Sequence, residues 1–529
     1  MMYEKYEELI SRMIDDLKAV CMQAGLSNQA AEEQCVTTVL LYKFLDSKKD
    51  FLPEEYSIQA LIDKHENPNS DTTSDRLSFT DRFDQCISAI TCLAEKIFAD
   101  FSANNNNAVY DPVLVPISQF ALKENRDFFV ENVFKIISNP NYNLDDITEE
   151  TNQFDFFSSV FEYMIHDYNV AAGVYAEYFT PQIISHIIGR ILASMNDGKK
   201  KNVSIYDPSA GTGSLVLHLD DALKKEGLDP AIYTQDISQK STRFLKLNIL
   251  LNGLYHDELH IARGDTLLAP AHYEEERLKK FDIITSNPPF KVDFSSTRNE
   301  IAEAWADTER FFAGIPNIPT KKKESMPIYL MFIQHIIYSM SESGKAAIVV
   351  PSSFLSARTS CEIAIKKKMI SDNLLAGIIT MPARVFANTT TKVSVIFLDK
   401  NKCDDSVYLL DASELGTLEK VGKTKRVVLS SEEVDQIIDF YINKTKQHQI
   451  SIAATAAEIE ENGYNLMAGQ YFVPEFNFSP KSENDFRAEL MECMNELDGL
   501  EKERKSLEDE YKEFMEELKK LYGNKRQRK

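Results

Sequence analysis

The chain has 529 residues, of which 43% are hydrophobic and 27% are charged. A chain of this length is usually too long to fold around one hydrophobic core, so two or three domains are expected. The composition is ordinary for a globular protein. No apolar run reaches the length of a membrane span, and the charged residues 1–8 do not resemble a secretory signal. A membrane protein and a secreted protein are therefore not expected.

The formal net charge is −23, and seven cysteines are scattered along the chain without a CxxC pair. This cysteine usage predicts reduced thiols in a cytoplasmic protein, with no metal site. A chain that binds duplex DNA on its own usually carries a basic footprint. If the function involves DNA, we expect a partner to supply much of the phosphate binding.

Residues 1–155 are predicted to form an N-terminal helical domain. Apolar residues from Tyr6 to Val20 recur at helical spacing, and the run Val36–Leu45 is typical of a buried helix. No cluster of catalytic residue types stands out in this region. A docking or lid domain is the expected role.

Residues 156–480 alternate between apolar strands and helical stretches, which predicts an α/β domain with a largely parallel sheet covered on both faces. The predicted helices include Pro181–Met195, Ser241–Leu251 and Met326–Met340. The predicted strands are Val203–Tyr206, Ala231–Gln235, Phe281–Thr285, Lys345–Val350, Leu375–Thr380 and Lys392–Leu398. Such sheets bind ligands at the carboxyl ends of their strands.

Residues 481–529 are predicted to form a C-terminal coiled-coil segment that binds a partner. One heptad position holds Leu490, Leu497, Arg504, Tyr511 and Leu518, and the other holds Cys493, Leu500, Leu507, Phe514 and Leu521. This pattern is a seam of about five heptads. A helix that lies on its own domain is the alternative.

A glycine loop follows the first predicted strand and suits a nucleoside cofactor without a phosphate. Gly211 and Gly213 permit positive φ and close approach of the backbone, whereas a third glycine and a phosphate-binding lysine are absent from the loop sequence. Asp236 and Asp265 end the next two strands, where carboxylates can accept from ribose hydroxyls and from an adenine amine; a helix cap and a turn are their alternatives. The predicted cofactor residues of the loop are Asp207, Ser209, Ala210, Gly211, Thr212 and Gly213.

The turn Asn287-Pro288-Pro289-Phe290, which follows the strand Phe281–Thr285, is the predicted catalytic site. An exocyclic amine on a flat ring is a poor nucleophile, and two fixed acceptors pull it towards tetrahedral geometry. The Asn287 side chain and the Pro288 carbonyl offer these acceptors, and Phe290 offers a ring for the base to stack on. Together with the glycine loop, this elbow predicts methyl transfer from S-adenosylmethionine to such an amine on a flipped base.

At these motifs the chain resembles the amino-methylating DNA methyltransferases, and more closely the modification (M) subunits of type I restriction–modification systems. The further motifs that carry the resemblance are Leu41–Asp46, Ala176–Pro181, Met381–Ala387 with Lys392–Asp399, and Asn462–Leu466 with Tyr471. Two departures are Ala176, where the family usually has glycine, and Asp236, where it more often has glutamate.

The resemblance implies a Rossmann-like methyltransferase fold with a mostly parallel seven-stranded sheet, and methylation of adenine N6 in DNA. It implies S-adenosylmethionine as cofactor, with the base facing Phe386 as well as Phe290. Two M chains would join one specificity (S) subunit and a restriction (R) subunit. The segment that helps enclose the cofactor would be Glu177, Tyr178, Phe179, Thr180, Pro181 and Gln182.

Other functions remain open at this point. Methyltransferases that act on RNA or on a protein glutamine amide also use Asn-Pro-Pro turns, and a scaffold could keep the fold without the chemistry. No nuclease motif supports a fused restriction enzyme. The polar stretch 292–323, with Trp305 and the lysines 321–323, is either a surface insertion or a segment that orders on DNA.

Overall fold

The chain divides into two compact units, Met1–Phe472 and Val473–Lys529. The predicted domain boundaries after residues 155 and 480 lie outside the described residues and stay predictions. The computed structural model describes residues 2–26, 29–47, 52–66, 77–102, 114–142, 180–196, 200–254, 259–306, 308–386, 391–421, 424–473 and 483–523.

The N-terminal region is helical in its described parts, as predicted. Within α2, every residue of the run Val36–Leu45 is buried except Lys43. This region shares one continuous core with the sheet, and an ion pair of 2.8 Å joins Glu33 of α2 to Lys240. The described helices are α1 (Met2–Gln23), α2 (Gln29–Ser47), α3 (Ile58–Glu66), α4 (Phe79–Ser102) and α5 (Arg126–Ile137).

A nine-stranded sheet forms the centre of the first unit, in the order β13-β10-β8-β9-β7-β6-β1-β2-β3. Strand β9 is antiparallel to both of its neighbours and β13 is antiparallel to β10, whereas the other pairs are parallel. The strands are β1 (Asn202–Asp207), β2 (Asp229–Asp236), β3 (Leu259–Arg263), β6 (Phe281–Ser286), β7 (Met340–Pro351), β8 (Leu375–Thr380), β9 (Val393–Asp399), β10 (Ser406–Asp411) and β13 (Ser451–Thr455). Two hairpins stand apart from it, β4 (Tyr273–Glu274) with β5 (Arg277–Leu278), and β11 (Thr417–Val421) with β12 (Thr424–Val428).

All six predicted strands are present. Five of them begin and end within about two residues of the prediction, whereas β7 begins at Met340 instead of Lys345. The strands from β3 to β8 form the mostly parallel seven-stranded sheet, and β10 and β13 extend it at one edge, which the alternation did not predict. The strand order reverses between β1 and β6. In open α/β sheets, ligands bind in the crevice at such a reversal, outside the carboxyl ends of the strands.

Both faces of the sheet are covered, because successive residues of a strand point to opposite faces. In β7, Ala347 and Val349 belong to the core shared with the N-terminal helices, whereas Ala346, Ile348 and Val350 belong to a second core on the other face. The helices of this part are α6 (Gln182–Met195), α7 (Ser214–Lys225), α8 (Gln239–Leu251), α9 (Arg298–Ala304), α10 (Tyr329–Ser339), α11 (Ser353–Ser356), α12 (Ser360–Ser371), α13 (Ser431–Ile442) and α14 (Ala456–Glu461).

The segment after the elbow, residues 292–323, is a folded insertion. It contains α9 and the 3₁₀ turn Glu309–Phe311, and Phe294 and Ile301 pack with Leu267 and Met326 in a small third core. The lysines 321–323 are exposed.

The second unit contains one 41-residue helix, α15 (Glu483–Gly523), as the heptad pattern predicted. Its side chains from Asp485 to Glu516 are all exposed, including Leu500 and Leu507 of the seam. Pairing with another chain stays a prediction. No described helix of either unit combines the length and the hydropathy that crossing a bilayer requires.

Candidate active site

The glycine loop joins β1 to α7 at the reversal of strand order. Gly211 has φ 54° and Gly213, which caps α7, has φ 85°, so both occupy the left-handed region that glycine tolerates. A Cβ atom on Gly213 would lie 2.2 Å from Cδ1 of Leu245 in α8. Any residue other than glycine would therefore have to move the buried Leu245 side chain and adopt a strained φ.

Two buried carboxylates hold the loop in shape. The main-chain N–H of Ser209 donates to Asp207 (2.9 Å), and that of Gly211 donates to Asp236 (2.8 Å). Asp236 also accepts from the main-chain N–H of Ser238 (2.8 Å), in the connection to α8. One carboxylate from each of two neighbouring strands therefore fixes the loop against the sheet edge.

The charged forms of these two carboxylates are disfavoured by their surroundings. Burial raises the pKa of Asp207 to about 8. The hydrogen bond from Ser209 lowers this pKa, whereas the nearby charge of Asp236 raises it. Burial also raises the pKa of Asp236, although the N–H groups of Ser238 and Gly211 lower it. A cation placed beside Asp207 would restore its charge.

Asp265 lies in a turn directly after β3. One of its carboxylate oxygens accepts from the main-chain N–H groups of Leu267 (2.9 Å) and Leu268 (3.3 Å). The hydroxyl of Thr266 donates to the carbonyl of Pro208 in the glycine loop (2.6 Å). The turn that contains Asp265, which was predicted to bind the cofactor's adenine amine, is thus bonded directly to the glycine loop.

The catalytic elbow lies against the glycine loop. The hydroxyls of Ser209 and Ser286 are 2.7 Å apart, and Ser286 directly precedes the elbow. The side-chain nitrogen of Asn287 donates to the hydroxyl of Thr180 (3.0 Å). Three predicted motifs, around residues 180, 209 and 287, therefore meet at one point of the sheet edge.

This bond fixes the orientation of the Asn287 amide. Because the nitrogen is used as a donor, the side-chain oxygen is kept as an acceptor. Asn287, Pro289 and Phe290 are half-buried, so the elbow is accessible, whereas Pro288 is buried. The ring of Phe290 stands edge-on to Tyr329, with centroids 6.4 Å apart.

The other predicted residues are placed less directly. Thr180 and Pro181 are buried, and Gln182 is half-buried at the start of α6. Pro181 and Gln182 line a groove of 530 Å³ together with residues of β12 and α13. Phe386, predicted to face a base, is 8% exposed and belongs to the larger core. Glu177, Tyr178 and Phe179 lie outside the described residues.

Sequence reasoning missed several groups that shape the site. Ser286 directly precedes Asn287, and this position beside the elbow was the available signal. Gln235 fixes the loop after β3 by two hydrogen bonds of its side-chain amide. The amide nitrogen donates to the carbonyl of Ala269, and the amide oxygen accepts from the N–H of Ala271 (both 2.9 Å). Arg310 lies in the insertion and is fully buried. A polar stretch of sequence gives no sign that one of its arginines is buried.

The residues at the three strand ends suit S-adenosylmethionine. Carboxylates and hydroxyls lie at these strand ends on Asp207, Ser209 and Asp265, and groups of this kind can bond an ammonium group and ribose hydroxyls. A phosphate ligand would favour a lysine or arginine in the loop, and the loop from Asp207 to Gly213 contains neither.

Comparisons with known proteins agree with this site. The family described as N-6 DNA Methylase matches residues 152–477. The methylase subunit of the type I restriction enzyme MpnII of Mycoplasma pneumoniae is 27% identical over 385 residues, which cover 71% of this chain and 66% of the relative. The MjaIX methylase subunit of Methanocaldococcus jannaschii is 27% identical over 383 residues, covering 69% of this chain and 63% of the relative. The chain thus spans less than two thirds of the length of these curated relatives.

A solved structure shares the fold. The type I restriction–modification methyltransferase subunit of Streptococcus thermophilus superposes with a TM-score of 0.65 at 18% identity, over 89% of this chain and all of that chain. The family match covers more than half of the chain and includes the glycine loop, the elbow and the turn after β3. This chain therefore belongs to the N-6 DNA methylase family.

Proposed function

We propose that this chain transfers a methyl group from S-adenosylmethionine to the N6 amine of adenine in DNA, as the modification subunit of a type I restriction–modification complex. One observation carries the proposal: the Asn287 amide is held by Thr180 and the elbow is bonded to the glycine loop through Ser286 and Ser209. An acceptor for an amine thus stands directly beside a loop that suits the cofactor.

The elbow would act on the target amine by accepting its hydrogen bonds. The side-chain oxygen of Asn287 and the main-chain carbonyl of Pro288 take its two N–H groups, which localises the nitrogen lone pair for attack. The bound cofactor supplies an activated methyl group. Preorganised acceptors and positioning supply the rate, and no strong general base is required.

The base must leave the duplex to reach the elbow, because its amine is inside the stack. Phe290 is the proposed stacking surface, since it is half-buried at the mouth of the elbow. Phe386 is the second proposed surface. Stacking on an aromatic ring contributes roughly 1–3 kcal/mol per base, which offsets part of the cost of flipping.

The positions of three carboxylates at neighbouring strand ends support the proposed cofactor residues. Asp207 would accept a hydrogen bond from the ammonium group of the cofactor, directly or through water. Asp265 would accept one from its adenine amine. Asp236 already accepts from Gly211 and Ser238, so its proposed bond to the ribose uses its remaining acceptor capacity. The segment from Glu177 to Gln182 would close over the cofactor.

A separate specificity subunit is proposed to read the DNA sequence, with two M chains and a restriction subunit in the full complex. The acidic balance of the chain, −23, supports a partner that supplies phosphate contacts. The exposed apolar seam of α15 supports a partner helix. The isolated chain should therefore bind the cofactor but methylate DNA poorly.

The test is transfer of a labelled methyl group by the purified chain with its cognate specificity subunit. Duplex DNA, total RNA and an unmethylated protein extract are offered in parallel, and the labelled product is hydrolysed and identified. We expect N6-methyladenine from DNA, and transfer by Asn287→Ala lowered by about 10²–10³-fold. Label found in RNA or in protein alone would reject the DNA assignment. Efficient sequence-specific methylation without the specificity subunit would reject the partner assignment.

A further inference from the structure

Arg310 is a buried cation in the insertion that follows the elbow. It is 0% exposed, and its guanidinium donates to the main-chain carbonyls of Thr266 (2.6 Å) and Leu267 (2.8 Å). Its Nε donates to Nδ1 of His335 (3.1 Å). A buried charge is costly unless each donor is satisfied. Here the partners are neutral groups, and two of them belong to the turn after β3.

The turn 265–268 is held from several sides. Asp265 accepts from its amides, and the hydroxyl of Thr266 donates to the glycine loop at Pro208. The indole N–H of Trp305 donates to the carbonyl of Leu268 (3.4 Å). Three consecutive carbonyls, those of residues 266, 267 and 268, therefore accept hydrogen bonds from the insertion.

Aromatic rings fix the plane of the guanidinium. The Arg310 guanidinium carbon lies 4.2 Å from the ring centre of Trp305 and 4.8 Å from that of Phe311. Cation–π contact of this kind orients the planar fork, which a lysine cannot reproduce. The donors of Arg310 are thereby aimed at the carbonyls of the turn.

His335 connects the same network to β1. Because its Nδ1 accepts from Arg310, its Nε2 carries the hydrogen and faces the hydroxyl of Tyr206 at 3.3 Å. Tyr206 directly precedes Asp207 at the end of β1. Arg310 is thus connected both to the strand that bears the glycine loop and to the turn after β3.

We propose that Arg310 is a positioning residue for the cofactor: it holds the turn 265–268 in the shape that binds the adenine end of S-adenosylmethionine. This inference rests on the proposed function. The insertion thereby belongs to the cofactor site as well as to the surface after the elbow. Arg310 acts through the turn and does not itself contact the cofactor.

The test uses Arg310→Met and Arg310→Lys in the full chain, with cofactor affinity measured by calorimetry. We expect Arg310→Met to weaken S-adenosylmethionine binding at least tenfold and Arg310→Lys to recover part of the loss. In the assembled complex KM for the cofactor should rise, with kcat at saturating cofactor changed less than threefold. The matched control is Arg298→Met, since Arg298 donates to the carbonyls of Ile315 and Pro316 and not to those of the turn. It should bind the cofactor within about twofold of the wild type.

Intrinsic fluorescence gives a second measurement that does not depend on the folding of a variant. Trp305 is the only tryptophan in the chain and is bonded to the turn. Addition of S-adenosylmethionine or adenosine to the wild type should change its emission, with the dissociation constant found by calorimetry. Trp305→Phe, which loses the indole donor and part of the ring beside Arg310 but keeps the guanidinium, should weaken binding by a smaller factor than Arg310→Met.

The outcomes separate this inference from the proposed function. If the wild-type chain binds no S-adenosylmethionine, the proposed function is rejected together with the positioning role. If Arg310→Met is folded and binds the cofactor normally, only the positioning role is rejected. If Arg310→Met does not fold, the fluorescence of the wild type decides: a Trp305 emission that does not change when the cofactor binds rejects the positioning role.

Discussion

The strand-end site and the C-terminal helix differ in how much of their structure the chain supplies itself. At the site, Asn287 bonds to a residue 107 positions away in sequence, and Ser286 to one 77 positions away. In α15, Leu500 and Leu507 are 64% and 58% exposed. The site is assembled by contacts within the first unit, whereas the helix presents an apolar seam to solvent. The comparison shows that the residues of the proposed methyl-transfer site are positioned by this chain itself, whereas the apolar seam of α15 can be buried only against a further surface.

The largest expected effect is on catalysis. In the complex with the specificity subunit, Asn287→Ala should lower kcat by about 10²–10³-fold, because a preorganised acceptor for the amine is lost. Cofactor affinity should stay within about threefold, since the Asn287 side chain bonds to Thr180 and not to the glycine loop. Steady-state methylation kinetics and calorimetry measure the two quantities.

Thr180→Val sharpens this prediction, because it leaves Asn287 in place and removes only the bond that orients its amide. A loss of about tenfold is expected, in line with the net contribution of one hydrogen bond. Full activity of Asn287→Ala would contradict the assignment of the elbow as the catalytic site.

A smaller effect is expected on stability when the glycine loop is altered. Gly213→Ala adds a methyl group 2.2 Å from Leu245 at φ 85°, so overpacking and left-handed strain should together cost about 2–4 kcal/mol. The matched control is Gly227→Ala, at φ 78° with no atom within 4 Å, which should cost only about 1 kcal/mol. Urea unfolding of both variants measures the difference, and equal losses would show that the contact with α8 is unimportant.

The pH dependence of stability tests the burial of Asp207. Its pKa is about 8 in the folded chain, against an ordinary value of about 3.9. Between these values the folded state holds a proton that the unfolded state releases, so the contribution of this group to stability falls as pH rises. The slope is at most about 1.4 kcal/mol per pH unit.

The measurement is the free energy of unfolding of the cofactor-free chain from pH 5 to pH 8, compared with Asp207→Asn. Asparagine cannot ionise but keeps an acceptor for Ser209. The variant should gain stability relative to the wild type as pH rises. A constant difference across this range would show that Asp207 is ionised throughout.

The smallest effect on the isolated chain is expected in α15. Leu500→Glu combined with Leu507→Glu should change its stability by less than about 0.5 kcal/mol, because both side chains are exposed. The same pair should abolish association with the specificity subunit, measured by analytical ultracentrifugation. Met491→Glu, equally exposed but outside the seam, is the matched control and should still associate. Association of the double variant would contradict the seam as the partner surface.

Sequence reasoning identified the elbow, the loop and the strands because each depends on local chemistry. Proline and glycine restrict the backbone within a few residues, and the apolar runs that became β1, β6 and β7 are continuous in sequence. The last two strands at one side of the sheet, β10 and β13, escaped prediction. β13, at the very edge, is short and pairs on one side only, so it needs less apolar sequence than a central strand.

The individual roles of polar residues were harder to predict. Asp236 was expected to bind ribose or to cap a helix, and the structure shows it bonded to Gly211, 25 positions earlier, as well as to Ser238. The stretch 292–323 was expected to be a surface insertion or a segment that orders on DNA, and the structure shows it packed in a small core shared with Leu267 and Met326. Neither outcome can be read from residue type, because it depends on which segments approach in space.

The amino-acid sequence by itself determined the strand-helix alternation and the identity of the elbow, since periodicity and turn chemistry act over short distances. The order of its motifs carried the resemblance to the family. Only the tertiary structure decided that Thr180 orients Asn287, that Ser209 meets Ser286, and that Arg310 is buried beneath the turn after β3. These contacts join residues far apart in the chain. A buried polar group takes whatever partner the packing brings within hydrogen-bond distance, and that choice is made by the fold as a whole.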